Sequence, residues 1–167
     1  MRAILMLLTL LAAPALAEER WRAVTPQDAM YNPELDMAIL VRGDGSFAVV
    51  IPNPGGPGAM AGFGIPAEGY ENRITSILTI GSGRVSTRDV ETPELIWQGN
   101  ALDGAVTYLF PISEDEVELF KAGRTWRIVL GDKTVSFPLT GSRISIDAAE
   151  AKKAARIRLL QSIIEGG

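Results

Sequence analysis

The chain has 167 residues, 47% hydrophobic and 22% charged, with 17 glycines, 10 prolines, a formal charge of −4 and neither cysteine nor histidine. It is too apolar for intrinsic disorder and too evenly mixed for collagen, a coiled coil or a repeat array, so one packed domain is expected. The missing residue types exclude Ser-His-Asp and Cys-His triads, and zinc, haem, iron–sulfur or blue-copper ligation through those side chains. Carboxylates, hydroxyls, lysine and arginine remain, and the sequence assigns them no catalytic role, metal or cofactor.

At the N-terminus, Met1-Arg2 supplies a positive start, Ala3 to Leu11 an apolar run, and Ala15-Leu16-Ala17 a small-x-small cleavage site ahead of Glu18. These three regions read as a secretory signal peptide over residues 1–17, leaving 18–167 as one β-rich domain. The apolar run is shorter than the roughly 20 residues that span a bilayer and is followed by Pro14, which argues against an anchor. No later stretch is long and apolar enough to cross a membrane. Removing residues 1–17 takes away only one charge, Arg2, and shifts the formal total from −4 to −5. A mildly acidic domain offers no electrostatic attraction for nucleic acid or anionic lipid. The expected location is the bacterial periplasm or exterior, where a domain of this size folds without disulfides.

Strand patterns follow from Trp21 to Leu139. Met37, Ile39 and Val41 alternate with Ala38, Leu40 and Arg42, and Gly43-Asp44-Gly45 turns the chain into Phe47, Val49 and Ile51 as a hairpin. The segment Pro52 to Pro66 has neither helical nor strand period, and its glycine and proline content predicts a loop. Arg73 to Ile80 and Arg84 to Val90 form a second hairpin around Gly81-Ser82-Gly83. Glu94 to Gln98 and Ala105 to Phe110 add two short strands. Ser113-Glu114-Asp115-Glu116 is a capping box, followed by Val117, Leu119 and Phe120 and stopped at Gly123, which predicts a short connecting helix. Trp126, Ile128 and Leu130, then Gly131-Asp132, then Val135, Phe137 and Leu139 give the clearest hairpin. A longer helix is expected from about Asp147 to Glu165. The sum is a mainly β fold, an antiparallel sandwich or barrel of about seven or eight strands with one short connecting helix and a C-terminal helix.

The predicted Gly/Pro loop would carry Met60 and Phe63 as a binding lip, and Trp21 and Tyr70, beside charged or turn residues, are the expected exposed aromatics. Trp97 and Trp126 fit core positions. Met30, Met37 and Met60 are too scattered for a copper site. Arg42-Gly43-Asp44 is explained by the backbone needs of a tight hairpin. Glu114, Asp115, Glu116 and Glu118 suit the positive end of a helix and lack calcium-loop spacing. Lys152, Lys153, Arg156 and Arg158 read as a solvated face of the last helix. Its apolar residues Ile157, Leu159, Leu160, Ile163 and Ile164 would form a contiguous exposed patch if unpacked, so they are expected to dock on the sandwich or on a partner.

The segment ISEDEVELFKAGRTWRIVLGDKTVSFPLTGSRISIDAA, Ile112 to Ala149, resembles the C-terminal part of the invasion-associated locus B family of bacterial periplasmic proteins. The likeness lies in a short helix ending in Phe120-Lys121-Ala122-Gly123, a strand carrying Trp126-Arg127-Ile128, and a return strand closing on Phe137-Pro138-Leu139-Thr140-Gly141-Ser142 before a final helix. With Trp21-Arg22, it covers about a quarter of the chain. It implies a β-sandwich accessory or adhesion-related protein, from a family with no established enzymatic activity, and brings no catalytic residues. The chain departs from the family in lacking its usual cysteines and in carrying the Gly/Pro segment.

Three functions are thereby set against one another. The first is an exported, non-catalytic binding or accessory protein acting on a protein partner or envelope component. The second is a carboxylate-dependent hydrolase of a cell-envelope polymer, which needs two or more carboxylates converging in one cleft. The third is a carrier of an apolar small molecule inside a closed barrel. Oligomeric state is not legible.

Overall fold

A computed structural model describes residues 19–28, 32, 34–66, 71–81, 83–91, 94, 97–100 and 105–165. The proposed signal peptide and Tyr70 lie outside the described residues. Ten strands and two helices follow in order: β1 (Arg22–Ala23), β2 (Ala38–Val41), β3 (Phe47–Pro52), β4 (Ala59–Pro66), β5 (Arg73–Ile80), β6 (Arg84–Glu91), β7 (Trp97–Asn100), β8 (Ala105–Ile112), α1 (Glu114–Ala122), β9 (Gly123–Leu130), β10 (Lys133–Pro138) and α2 (Ser142–Glu165). They form two antiparallel sheets, ordered β1-β2-β3-β4-β8-β7 and β10-β9-β5-β6. This is a sandwich-like fold and not a closed barrel.

Alternation along the strands builds the core between the sheets. Leu40, Val50, Ala61, Phe63, Tyr108 and Phe110 from one sheet meet Ile74, Leu78, Trp126, Ile128 and Phe137 from the other. Trp126 is fully buried at the centre, with Phe120 at 4.9 Å and Phe63 at 5.8 Å edge-on to its ring. Its indole N–H donates to Ser76 Oγ at 2.9 Å, which satisfies the one polar atom the ring brings into the core. Aromatic side chains thus fill the space that a small-molecule carrier would leave open.

The predicted loop over Pro52 to Pro66 is a correction. Only its first part turns the chain, and Ala59–Pro66 is strand β4, paired on one side with β3 and on the other with β8. Its glycines fill a steric requirement. A Cβ at Gly64 would lie 2.1 Å from Cε1 of Phe47, and one at Gly62 would lie 2.8 Å from Cδ1 of Leu109. Neighbouring side chains already occupy the outer face there, so only glycine keeps the strands in register.

The β2–β3 hairpin forms as expected, and Ala38, Leu40, Ala48 and Val50 point into the main core. Met37, Ile39, Phe47 and Val49 lie on the opposite face and make a second buried cluster with Val24. Helix α2 packs against β1, β2 and β3.

Both helices are started by local chemistry. At α1, Ser113 Oγ accepts from the amide of Glu116 while the Glu116 carboxylate accepts from the amide of Ser113, closing the predicted capping box. Val117 and Phe120 form the buried side of this helix. At α2, Gly141 takes a φ of +83°, a value that glycine adopts without penalty, and the helix begins at Ser142, five residues ahead of the expected start. Ser142 Oγ donates to the carbonyl of Phe120 at 2.8 Å and fixes the start of α2 on the end of α1.

Candidate functional site

The two helices and the turn between β3 and β4 enclose a cleft of about 480 Å³. Pro52, Pro57, Val117, Ala154 and Ile157 supply its apolar lining, and Glu114, Glu118, Lys121, Glu150 and Lys153 its charges. Lys121 organises this wall. Its side chain is 7% exposed, and Nζ lies 3.0 Å from Glu118, 3.0 Å from Asp147 and 2.8 Å from Glu150. Burial alone would lower the affinity of this amine for its proton. Hydrogen bonds to Glu150, Glu118 and Asp147 outweigh that and hold the ammonium above its ordinary range.

The carboxylates therefore converge, but on a cation that already balances part of their charge. Their geometry is that of a clamp between helices. Among the described residues no cluster of acidic side chains is arranged to hold a metal ion.

Beyond the cleft, α2 leaves the domain. Lys153 Nζ donates to the carbonyl of Gly56 at 2.9 Å, Arg156 Nη1 donates to the carbonyl of Glu34 at 2.5 Å, and Arg156 Nη2 pairs with Asp36 at 2.9 Å. Past these contacts, Leu159, Leu160, Ile163 and Ile164 are 61%, 54%, 62% and 80% exposed, whereas Ile157, at the edge of the cleft, is half-buried. Of the two docking alternatives posed by the sequence, packing of these side chains on their own sandwich is contradicted. Single exposed aliphatic side chains need no explanation, but four on the last two turns of one helix form a continuous apolar ledge.

Two of the four sequence-derived binding residues are corrected by their burial. Trp21 is 3% exposed, and its indole N–H donates to the carbonyl of Pro138 at 2.8 Å, so it seals the start of the domain. Phe63 is fully buried on β4, stacked on Tyr108 at 5.0 Å. Met60 is half-buried in the same strand, opposite Ile51 and Pro111, and stands on no lip. The side chain of Trp97 lies outside the described residues.

Sequence reasoning did not find Lys121 as the organiser of the cleft. Its three partners come from both helices: Glu118 lies at i,i+3 spacing on α1, but no local spacing brings Asp147 and Glu150 of α2 to Lys121. The exposed ledge carried a signal in its density of large aliphatic residues next to the C-terminus. Comparisons with protein-family models, with curated proteins and with solved structures give no match.

Proposed function

We propose that this chain is an exported, non-catalytic binding protein that holds a protein partner or envelope component through the protruding end of α2 and the cleft at its root. The observation that carries this reading is the ledge of Leu159, Leu160, Ile163 and Ile164, more than half exposed on a helix pinned to the domain just before it. Water-exposed aliphatic side chains in a row are the raw material of an interface core. Export is inferred from the three-part N-terminal signal, with the bacterial periplasm or exterior as the setting. The resemblance of Ile112 to Ala149 to the invasion-associated locus B family supports an accessory role and is part of the same proposal.

The hydrolase reading has less support. Glu118, Asp147 and Glu150 are tied to one ammonium, and such a tie works against a pair of carboxylates free to flank a sugar. Affinity capture from the periplasm, with the native chain and a Leu160→Glu, Ile164→Glu variant as parallel baits, tests the binding reading. A partner retained by the native bait and lost by an equally stable variant is the expected result. Equal recovery on both baits would remove α2 from the account.

A further inference from the structure

We propose that residues 151–165 of α2 form a latched arm that closes the cleft, held down by Lys153 and Arg156 and released by local melting of the helix. The inference concerns access to the cleft and holds whatever the protein binds. Ser142, Ser145, Ile146 and Ala149 are the buried residues of α2, and no residue from Glu150 to Glu165 is buried. The root therefore belongs to the core, and the arm does not. Among the described residues, two cations supply the arm's side-chain hydrogen bonds and ion pairs to the rest of the domain. Lys153 Nζ donates to the carbonyl of Gly56, and Arg156 holds the carbonyl of Glu34 and the carboxylate of Asp36.

The arm is also a wall of the cleft. Lys153, Ala154 and Ile157 line it from α2, and Gly56, Pro57 and Gly58 line it from the β3–β4 turn, so the Lys153–Gly56 hydrogen bond fastens one wall to the other. Charge holds the arm down over a longer range. Lys152, Lys153, Arg156 and Arg158 against Glu165 give it a formal charge of +3, whereas residues 18–150 carry 19 acidic and 11 basic side chains, a formal −8. Attraction between an exposed basic helix and an acidic body is strong in dilute salt and screened in concentrated salt.

Release takes the form of melting rather than bending. Helices kink sharply at proline, at glycine pairs or at bulges, and α2 contains neither proline nor glycine between Ser142 and Glu165. A free helix of about 15 residues is marginal in water, and Glu165, with no cation in the last turn, faces the negative end of the helix dipole. Once detached from Gly56, Glu34 and Asp36, the arm unwinds back to Glu150, which the Lys121 clamp keeps in place. The wall supplied by Ala154 and Ile157 goes with it, and Val117, a buried residue of the cleft lining, becomes accessible.

Hydrogen exchange of the full chain, read by mass spectrometry, tests the latch. Amides of 151–165 should exchange at least about tenfold faster than those of 142–149, as a locally opening segment does beside a core one. Lys153→Gln with Arg156→Gln should accelerate exchange in 151–165 severalfold and leave 142–149 unchanged, and raising the salt to about 1 M NaCl should do the same to the native chain. Access is read separately. The chain has no cysteine, so Val117→Cys supplies a single thiol lining the cleft, and its alkylation should be severalfold faster when the latch substitutions are added. Equal protection of arm and root, exchange in the arm indifferent to the double substitution or to salt, or acceleration of arm and root together would each overturn the latch. Alkylation at an unchanged rate would overturn its closing role.

Discussion

Lys121 and Glu150, 29 residues apart, are joined by a 2.8 Å hydrogen bond that ties the last turn of α1 to the middle of α2. Asp147 and Glu118 complete the same clamp. Changing Lys121→Met keeps the stem but leaves the three carboxylates facing one another. Because those carboxylates are half-exposed, a loss of about 1–2 kcal/mol in urea unfolding is expected, less than for a fully buried pair. The raised proton affinity of Lys121 means that its contribution is fully present below its ordinary value of 10.5 and is lost only as pH climbs through the higher folded value. The gap between native and variant should therefore be the same at pH 7 and pH 9.

Asp28 supplies the opposite sign. Hydrogen bonds from Arg22 hold its carboxyl below the usual carboxylate range, against the effect of burial and with help from the amide and hydroxyl of Thr25. A depressed folded value contributes stability above the ordinary value of 3.8 that is lost as pH falls through it. Arg22 is half-exposed, so Asp28→Asn should cost only about 1 kcal/mol at neutral pH, and that cost should shrink steadily below about pH 4.

Gly64→Ala tests the correction to β4. The added methyl meets the Phe47 ring, which is fully buried. Overpacking of this kind costs about 1–3 kcal/mol, and thermal unfolding should show the loss in Gly64→Ala. Gly55→Ala, where nothing lies within 4 Å of a Cβ, should melt like the native chain.

Much of this architecture was legible because its turns and periods are local. The three hairpins, the capping box at Ser113 and both helices follow from glycine turns, alternation and a side-chain cap, each decided within a few residues. Strand β4 was not. The sequence Ala-Met-Ala-Gly-Phe-Gly-Ile-Pro reads as a loop until the Phe47 ring from the neighbouring strand is seen to fill the space above Gly64. The orientation of the β2–β3 hairpin was not legible for a related reason. Both of its faces are apolar and both are buried, so alternation identifies a strand without saying which side meets Trp126. The site was the least legible part. Trp21 looked exposed because it precedes a charged residue, whereas it packs in the main core and its indole N–H reaches the Pro138 carbonyl more than a hundred residues away.

The expectation for α2 changes accordingly. Leu160→Ala with Ile164→Ala, which would lose at least about 3 kcal/mol if the helix end packed on its own domain, should now alter unfolding by less than about 1 kcal/mol. Ile146→Ala, at the buried root of the same helix, should cost about 2–5 kcal/mol. Urea titration of the two variants side by side separates the root from the ledge.

The most direct test of the binding role is site-specific photocrosslinking in the living cell, with a photoreactive side chain placed at Leu160 or at the exposed Ala155 near the root of the overhang. The account predicts a discrete crosslinked protein product from position 160 and little or none from position 155. An absence of product at 160, or equal yields from the two positions, would contradict it.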